Sequence, residues 1–320
     1  MGSPTVLLLH QFPPENAGGL DALETAIYDR CPDVRLECAT DRRDAIERIA
    51  DVEIVIEHAI DDELLAAAEE LEWLQSLSSG YDGFDLDALA DRGVALTTVS
   101  GVHATPIAHQ VLGYILTFER GLARAQRQKK NREWRRFAPG EPTGKTVGIV
   151  GVGAIGGRIA EFCDSIGMDV IGVKRDLSDV PEAVEEIYPP SELHTVLGRS
   201  EYVVAACPLT DATRGLFDER AFSSMDRETV FINIARGEVA DQDALIESLR
   251  TGYLGGAALD VAAEEPLPRD SPLWEMENVV LTPHMAGGSQ RYVERVAEIF
   301  AENYEQYRSG TLEGMRNRVV

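Results

Sequence analysis

Six consecutive residues, Gly151-Val152-Gly153-Ala154-Ile155-Gly156, space their glycines as G-x-G-x-x-G. They lie between a β-branched run, Thr146–Val150, and a stretch from Ala154 to Ile166 whose apolar residues recur at helical intervals. In a strand–turn–helix context Gly151 permits the tight turn, Gly153 lets the backbone approach a diphosphate, and Gly156 lets helix pack closely on strand. Ala154 and Ile155 open the helix, whose free N–H groups and positive dipole end suit an anion. The spacing alone is a weak signal; in this context it points to a dinucleotide. The next strand, Asp169–Val173, runs into Lys174-Arg175, where an NAD site usually carries an acid for the ribose 2′-hydroxyl. Two cations there would attract a 2′-phosphate, so NADP(H) is the expected preference, with NAD(H) tolerated. Asp176 is the alternative ribose partner if the register slips.

Three more polar segments follow strand candidates. Arg236 lies beyond Val230–Ile234, Asp260 and the pair Glu264-Glu265 lie beyond Gly256–Leu259, and His284 lies beyond Val279–Leu281. In open parallel sheets the carboxyl ends of the strands line the ligand crevice, so these groups converge. A cation, a carboxylate and an imidazole are what reduction of a 2-oxo acid requires. Taken singly, each has a plain reading: His284 a satisfied loop histidine, Arg236 half of a surface ion pair, Asp260 a turn acid, Glu265 one acid among 55.

Together the segments G-V-G-A-I-G, N-I-A-R-G, L-D-V with the later E-E-P-L, S-P-L-W and T-P-H, in this order between Lys145 and Gly288, resemble the D-isomer-specific 2-hydroxyacid dehydrogenase family. The resemblance implies that Arg236 pairs with the substrate carboxylate and polarises the ketone. It makes His284 the general acid/base and Glu265 the carboxylate that orients its ring, with Glu264 the alternative partner if the register slips. Asp260 would contact the nicotinamide end of the cofactor, and Cys207 and Pro208 join the cofactor-binding set. In Ser78-Ser79-Gly80-Tyr81-Asp82-Gly83, which resembles the family's substrate loop, N–H groups near Ser79, Gly80 and Tyr81 would hold the carboxylate. His109, where the family commonly has Glu, is read as structural. Glyoxylate/hydroxypyruvate reductases and broad 2-ketoacid reductases are the implied branches. The alternative from another class is a dinucleotide-sensing regulator, similar to a corepressor that keeps this fold.

These residues need elements to position them. Strand candidates Val6–Leu9, Val34–Glu37, Val52–Ile56, Trp73–Leu77 and Val94–Thr97 alternate with helical stretches Leu20–Asp29, Arg42–Ala50 and Asp61–Glu70. A long helix, Thr105 to about Ala125, leads into a basic stretch, Arg124–Arg136. The alternation resumes with Thr146–Val150, Val170–Val173 and Tyr202–Ala206, then the three strands above, with helices Ala154–Ile166, Ser191–Leu197, Gln242–Arg250 and Ser289–Tyr307. Alternation of this kind gives parallel sheets covered on both faces. The expected fold is α/β with two doubly wound domains and a site in the cleft between them. The resemblance divides them as a discontinuous flavodoxin-like substrate domain, 1–102 with 288–320, and an inserted Rossmann nucleotide domain, 103–287. Hinges would lie near Val102–Thr105 and Met285–Ser289. The segment Arg124–Arg136 resembles the family's dimer-forming arm, so a homodimer is implied.

Among the 320 residues, 55 Asp and Glu face 30 Lys and Arg, for a net charge of −25; only four of the cations are lysines. The acids are dispersed, a surface that repels nucleic acid and anionic membranes. Few lysines and a dispersed acidic shell suggest adaptation to a salt-rich cytoplasm. The four cysteines, Cys31, Cys38, Cys163 and Cys207, lack C-x-x-C spacing, so neither a metal site nor a disulfide is expected. Met1–Leu9 reads as a first strand rather than a leader, and no apolar run reaches the roughly 20 residues of a membrane helix. A cytoplasmic enzyme is the expectation.

Overall fold

The computed structural model describes residues 4–9, 19–81 and 83–320. Met1–Ser3, at the start of the first strand candidate, and Asp82 of the loop 78–83 lie outside them. The chain forms two compact units, Met1–His103 with Gly288–Val320 and Ala104–Gly287.

Unit 1 runs β1 (Thr5–Leu8), α1 (Gly19–Arg30), β2 (Arg35–Cys38), α2 (Arg42–Arg48), β3 (Ile54–Glu57), α3 (Asp62–Ala67), β4 (Trp73–Ser76), α4 (Leu86–Asp91) and β5 (Ala95–Thr97). Its sheet has the order β2-β1-β3-β4-β5, the flavodoxin-like arrangement. Unit 2 runs α5 (Ala104–Glu119), α6 (Leu122–Lys130), β6 (Thr146–Val150), α7 (Ala154–Ser165), β7 (Asp169–Val173), β8 (Glu186–Tyr188), α8 (Leu193–Leu197), β9 (Tyr202–Ala205), α9 (Glu219–Ser223), β10 (Val230–Asn233), α10 (Gln242–Thr251), β11 (Gly256–Leu259) and β12 (Val279–Leu281). Its sheet order, β12-β11-β10-β9-β6-β7-β8, is the Rossmann order with one further strand. The chain then returns to unit 1 as α11 (Tyr292–Arg308).

Every strand pairing within the two sheets is parallel. Central strands such as Val203, Val204, Phe231 and Ile232 are wholly buried on both faces, which is why they read as continuous apolar runs rather than alternating ones. In unit 1, Trp73 stacks on Phe300 of α11 at 5.3 Å. The tail after α11 also closes the β5 edge, with Val319 N–H donating to Leu96 O at 2.8 Å. Part of the acid excess is structural: Asp41, Asp61, Asp85, Asp218 and Asp241 each accept a first-turn N–H of a helix, each worth about 1 kcal/mol.

The expected helix from Thr105 to Ala125 is instead two helices, because Gly121 adopts a left-handed conformation (φ 62°) and ends the first. A left-handed residue cannot continue an α-helix, and glycine takes that conformation without steric cost. The basic stretch from Arg124 is accordingly helical as far as Lys130. Strand β8 and the short helices α4 and α9 are additions to the sequence reading.

Candidate active site

Register sets the geometry. Val173 pairs with Val150, Val150 with Ala205, Ala205 with Asn233, Asn233 with Leu259, and Leu259 with Leu281. Six strands therefore end at one level, and the residues that follow them leave the sheet side by side.

At β6 the chain turns through Gly151 at φ +106°, where a Cβ would lie 2.6 Å from Cys207 N; only glycine fits both constraints. A Cβ on Gly156 would stand 2.1 Å from Gly151 O, so the third glycine is set by close approach of helix to turn. Nothing lies within 4 Å of the place a Cβ would take at Gly153. Gly153 is the N-cap of α7 and supplies no side-chain cap, leaving the first-turn N–H groups at Ala154 and Ile155 open to a ligand. The cradle fits a diphosphate. Cys207 is buried and Pro208 exposed beyond β9, and burial pushes the Cys207 thiol above its usual range.

At the end of β7 the two cations part company. Lys174 turns to the loop ahead, its Nζ donating to Asp179 O and lying 3.9 Å from the Asp179 carboxylate. Arg175 is exposed. Asp176 accepts from the Ser178 hydroxyl and N–H at 2.6 and 2.9 Å; these bonds, with Lys174 nearby, hold its carboxyl below the usual range. Lys174 gives one of its three N–H groups to this loop, and both cations stand at the end of β7 as the sequence places them.

Beyond β10, buried Asn233 shapes the turn: its Nδ2 donates to Arg236 O at 3.0 Å and its Oδ1 accepts from Ala235 N at 3.0 Å. Arg236 is exposed, with Nη1 donating to Ala235 O at 2.7 Å. A Cβ on Gly237 would fall 1.9 Å from Ala262 C, so the loops after β10 and β11 touch backbone to backbone. That contact brings Arg236 near the 262–265 loop, itself held by Ala263 N–H donating to Gln242 Oε1 at 3.2 Å.

Of the two candidate acids, Glu265 is the one that meets the imidazole. His284 Nδ1 and Glu265 Oε2 are 2.7 Å apart, and Glu264 is exposed. Partial burial of Glu265 opposes ionisation, but the hydrogen bonds from His284 and from Ala262 N–H (3.1 Å), with the His284 and Arg236 charges, outweigh it and hold the carboxyl below its usual range. With Nδ1 given to Glu265, Nε2 is left for chemistry. The pair borders a cavity of about 560 Å³ whose apolar wall includes Val261, Leu267, Leu273, Trp274 and Leu281.

Asp260, expected at the nicotinamide end, is 3% exposed, and its oxygens bind the loop that carries His284. Oδ1 accepts from the Thr282 hydroxyl and from Met285 N–H at 3.0 Å, and Oδ2 from Ala286 N–H at 2.9 Å. Sequence reasoning missed this use and the roles of Asn233 and Gly237; the only signal was their position at or just beyond strand ends.

In unit 1 the loop after β4 is tied down by Ser78 N–H to Ser76 Oγ at 2.9 Å, Ser79 Oγ to Val99 O at 3.3 Å, and Val99 N–H to Ser78 O at 3.1 Å. Gly80 and Tyr81 at its tip are exposed, and Tyr81 O accepts from Phe84 N–H at 3.1 Å. Exposed His109 meets Phe162 edge to face at 4.9 Å, a packing contact between α5 and α7.

A family model described as D-isomer specific 2-hydroxyacid dehydrogenase, NAD binding domain, matches residues 112–286. A glyoxylate reductase of Korarchaeum cryptofilum is 31% identical over 288 residues, 86% of each chain. Among solved structures, a D-isomer specific 2-hydroxyacid dehydrogenase family protein from Aeromonas salmonicida is 31% identical with TM-score 0.82, covering 99% of both chains. An NADPH-dependent glyoxylate/hydroxypyruvate reductase from Sinorhizobium meliloti, solved with NADP and sulfate, is 29% identical with TM-score 0.80, covering 99% of this chain and 98% of its own.

Proposed function

Because the chain belongs to the D-isomer specific 2-hydroxyacid dehydrogenase family, we propose that Arg236, Glu265 and His284 are its catalytic residues in the interconversion of a small 2-oxo acid and its D-2-hydroxy acid. The protein is an NAD(P)-dependent oxidoreductase, and the regulatory alternative gains no support from relatives named as reductases and dehydrogenases. When bound, the nicotinamide supplies or accepts the hydride. Arg236 pairs its guanidinium with the substrate carboxylate and polarises the carbonyl. His284 donates a proton from Nε2 to the carbonyl oxygen in reduction and takes it back in oxidation. Glu265 fixes the ring through Nδ1. The Ser79, Gly80 and Tyr81 N–H groups are assigned to the substrate carboxylate. Glyoxylate and hydroxypyruvate are the first substrates to try, on the strength of the names of the relatives above.

NADP(H) is the preferred cofactor in this reading, because Lys174 and Arg175 follow β7 where a ribose-binding acid would otherwise stand. Gly151, Gly153, Ala154, Ile155 and Gly156 hold the diphosphate, and Cys207 and Pro208 flank it. The segment 104–287 is assigned as the nucleotide domain, and 1–103 with 288–320 as the substrate domain. A homodimer is supported by Trp134, 99% exposed beyond α6 on a segment rich in arginine. A cytoplasmic setting is consistent with four cysteines that are all free thiols and with the lack, among the described residues, of any helix long and apolar enough to cross a membrane.

The catalytic assignment rests chiefly on the 2.7 Å contact of His284 with Glu265. His284→Ala should lower kcat at least about a hundredfold while NADPH still binds, as read by quenching of protein fluorescence. Near-normal turnover of glyoxylate and hydroxypyruvate in that variant would remove His284 from the proton-transfer role.

A further inference from the structure

Building on the assignment of His284 as proton donor, we propose that Tyr114 and Thr282 are positioning residues: a hydrogen-bond chain from helix α5 through Thr282 to Asp260 sets where the imidazole stands.

The loop that carries the imidazole is an unusual piece of backbone. His284 has φ +50°, a left-handed conformation that a non-glycine residue keeps only when its surroundings impose it. The surroundings here are largely Asp260. Its main-chain carbonyl accepts from His284 N–H at 2.7 Å, and its carboxylate accepts from Met285 and Ala286 N–H. Three successive N–H groups of the loop thus end on one residue. The place of the imidazole follows from the place of the Asp260 carboxylate.

What fixes that carboxylate comes from outside the loop. Among the described residues Asp260 forms no ion pair, and a buried carboxylate must then be satisfied by hydrogen-bond donors. Besides the two loop amides it has the Thr282 hydroxyl. Thr282 owns a single hydroxyl proton, and its best acceptor is the anionic Oδ1. In the contact between Thr282 Oγ1 and Tyr114 Oη this leaves Tyr114 to donate and Thr282 to accept, and the Tyr114 hydroxyl also has Gln110 and the Asp260 carboxylate within reach. Tyr114 is itself 2% exposed, on the face of α5 that packs with Ile107, Val111 and Ile115 into the core beside β6 and α7. The chain runs from helix α5 to the residue on which three successive N–H groups of the loop end. Chains of this kind act as units.

Tyr114→Phe and Thr282→Val each remove a hydroxyl with little change of shape. Each should lower kcat for glyoxylate or hydroxypyruvate reduction by about tenfold, since small displacements of a reacting group carry costs of this order. KM for NADPH should not change. The solvent deuterium isotope effect on kcat should rise, because proton delivery becomes slower relative to other steps. The double variant should be no slower than Thr282→Val alone, since one break already interrupts the chain. Thr282→Ser, which keeps the hydroxyl, should retain the parental rate and isotope effect. Unchanged kcat in Tyr114→Phe and Thr282→Val, alongside an inactive His284→Ala, would overturn the proposal and leave the site assignment intact. A kcat loss that merely follows the fraction of protein still binding NADPH, with the isotope effect unmoved, would overturn it equally, as would multiplicative losses in the double variant. An active His284→Ala would remove the site assignment and this proposal with it.

Discussion

His284 and Glu265 stand partly in solvent, so their value lies in orientation rather than in stability. Glu265→Gln keeps the shape of the side chain but offers an oxygen or an amide to Nδ1, so the ring is no longer held in one protonation pattern. A loss of about a hundredfold in kcat is expected, with KM for the cofactor unchanged in steady-state assays. The lowered carboxyl of Glu265 also sets the sign of a pH effect. A depressed carboxyl contributes above its unfolded value and is lost as pH falls through its folded one. In the reductive direction, where His284 must carry its proton, the acid-side loss of kcat/KM through Glu265 protonation should therefore fall below the ordinary glutamate range, and an acid limb of reduction at or above that range would contradict the pairing.

Elements place these side chains by ending at one level, and the loops between them are packed backbone on backbone. Gly237→Ala tests this: its Cβ would enter the space of Ala262 C, forcing the 262–265 loop away. A destabilisation of about 2 kcal/mol is expected from such overpacking, read by chemical denaturation, together with reduced kcat. At the end of β7, Arg175→Ala should raise KM for NADPH about tenfold while barely altering KM for NADH, the loss of one charge-assisted contact; equal effects on both cofactors would detach Arg175 from the 2′-phosphate. Much of this level was legible in the sequence, since continuous apolar runs such as Val230–Ile234 mark buried parallel strands. Strand β8, Glu186-Ile187-Tyr188, was not, because it is an edge strand of three residues with little apolar content. The split at Gly121 was missed because a single glycine amid helix formers is usually tolerated. At the site, the family resemblance singled out Glu265 with Glu264 as the alternative, because the acids alone, placed beyond β11, do not say which of two neighbours the loop turns toward the imidazole. The structural use of Asp260 was not legible for a related reason: a carboxylate at a strand end announces its position, whereas the three donors that reach it come from residues 22 to 26 positions away.

At the scale of the whole molecule the net charge of −25 is the dominant fact. Several acids are spent on helix caps, but most of the excess is surface charge of one sign, which repels itself at low ionic strength. The Debye length shrinks from about 10 Å at 0.1 M salt to about 3 Å at 1 M, so concentrated KCl should stabilise the fold. Tm should rise by several degrees in calorimetry between these conditions, at roughly 2–4 °C for each kcal/mol of relieved repulsion; a Tm independent of salt would argue against adaptation to a salt-rich interior. The division of unit 1 between the two ends of the chain has a further consequence, for synthesis. On the ribosome the residues of unit 2 emerge as one uninterrupted stretch and can close their sheet as soon as β12 is out. The earlier strands must wait: Trp73 finds Phe300 and Tyr307 only after α11 has been translated, at roughly 5–20 residues per second. Through that interval α1 covers part of this face of the nascent sheet, with Leu23 and Ile27, and the part that α11 will cover is where a chaperone would have something to hold.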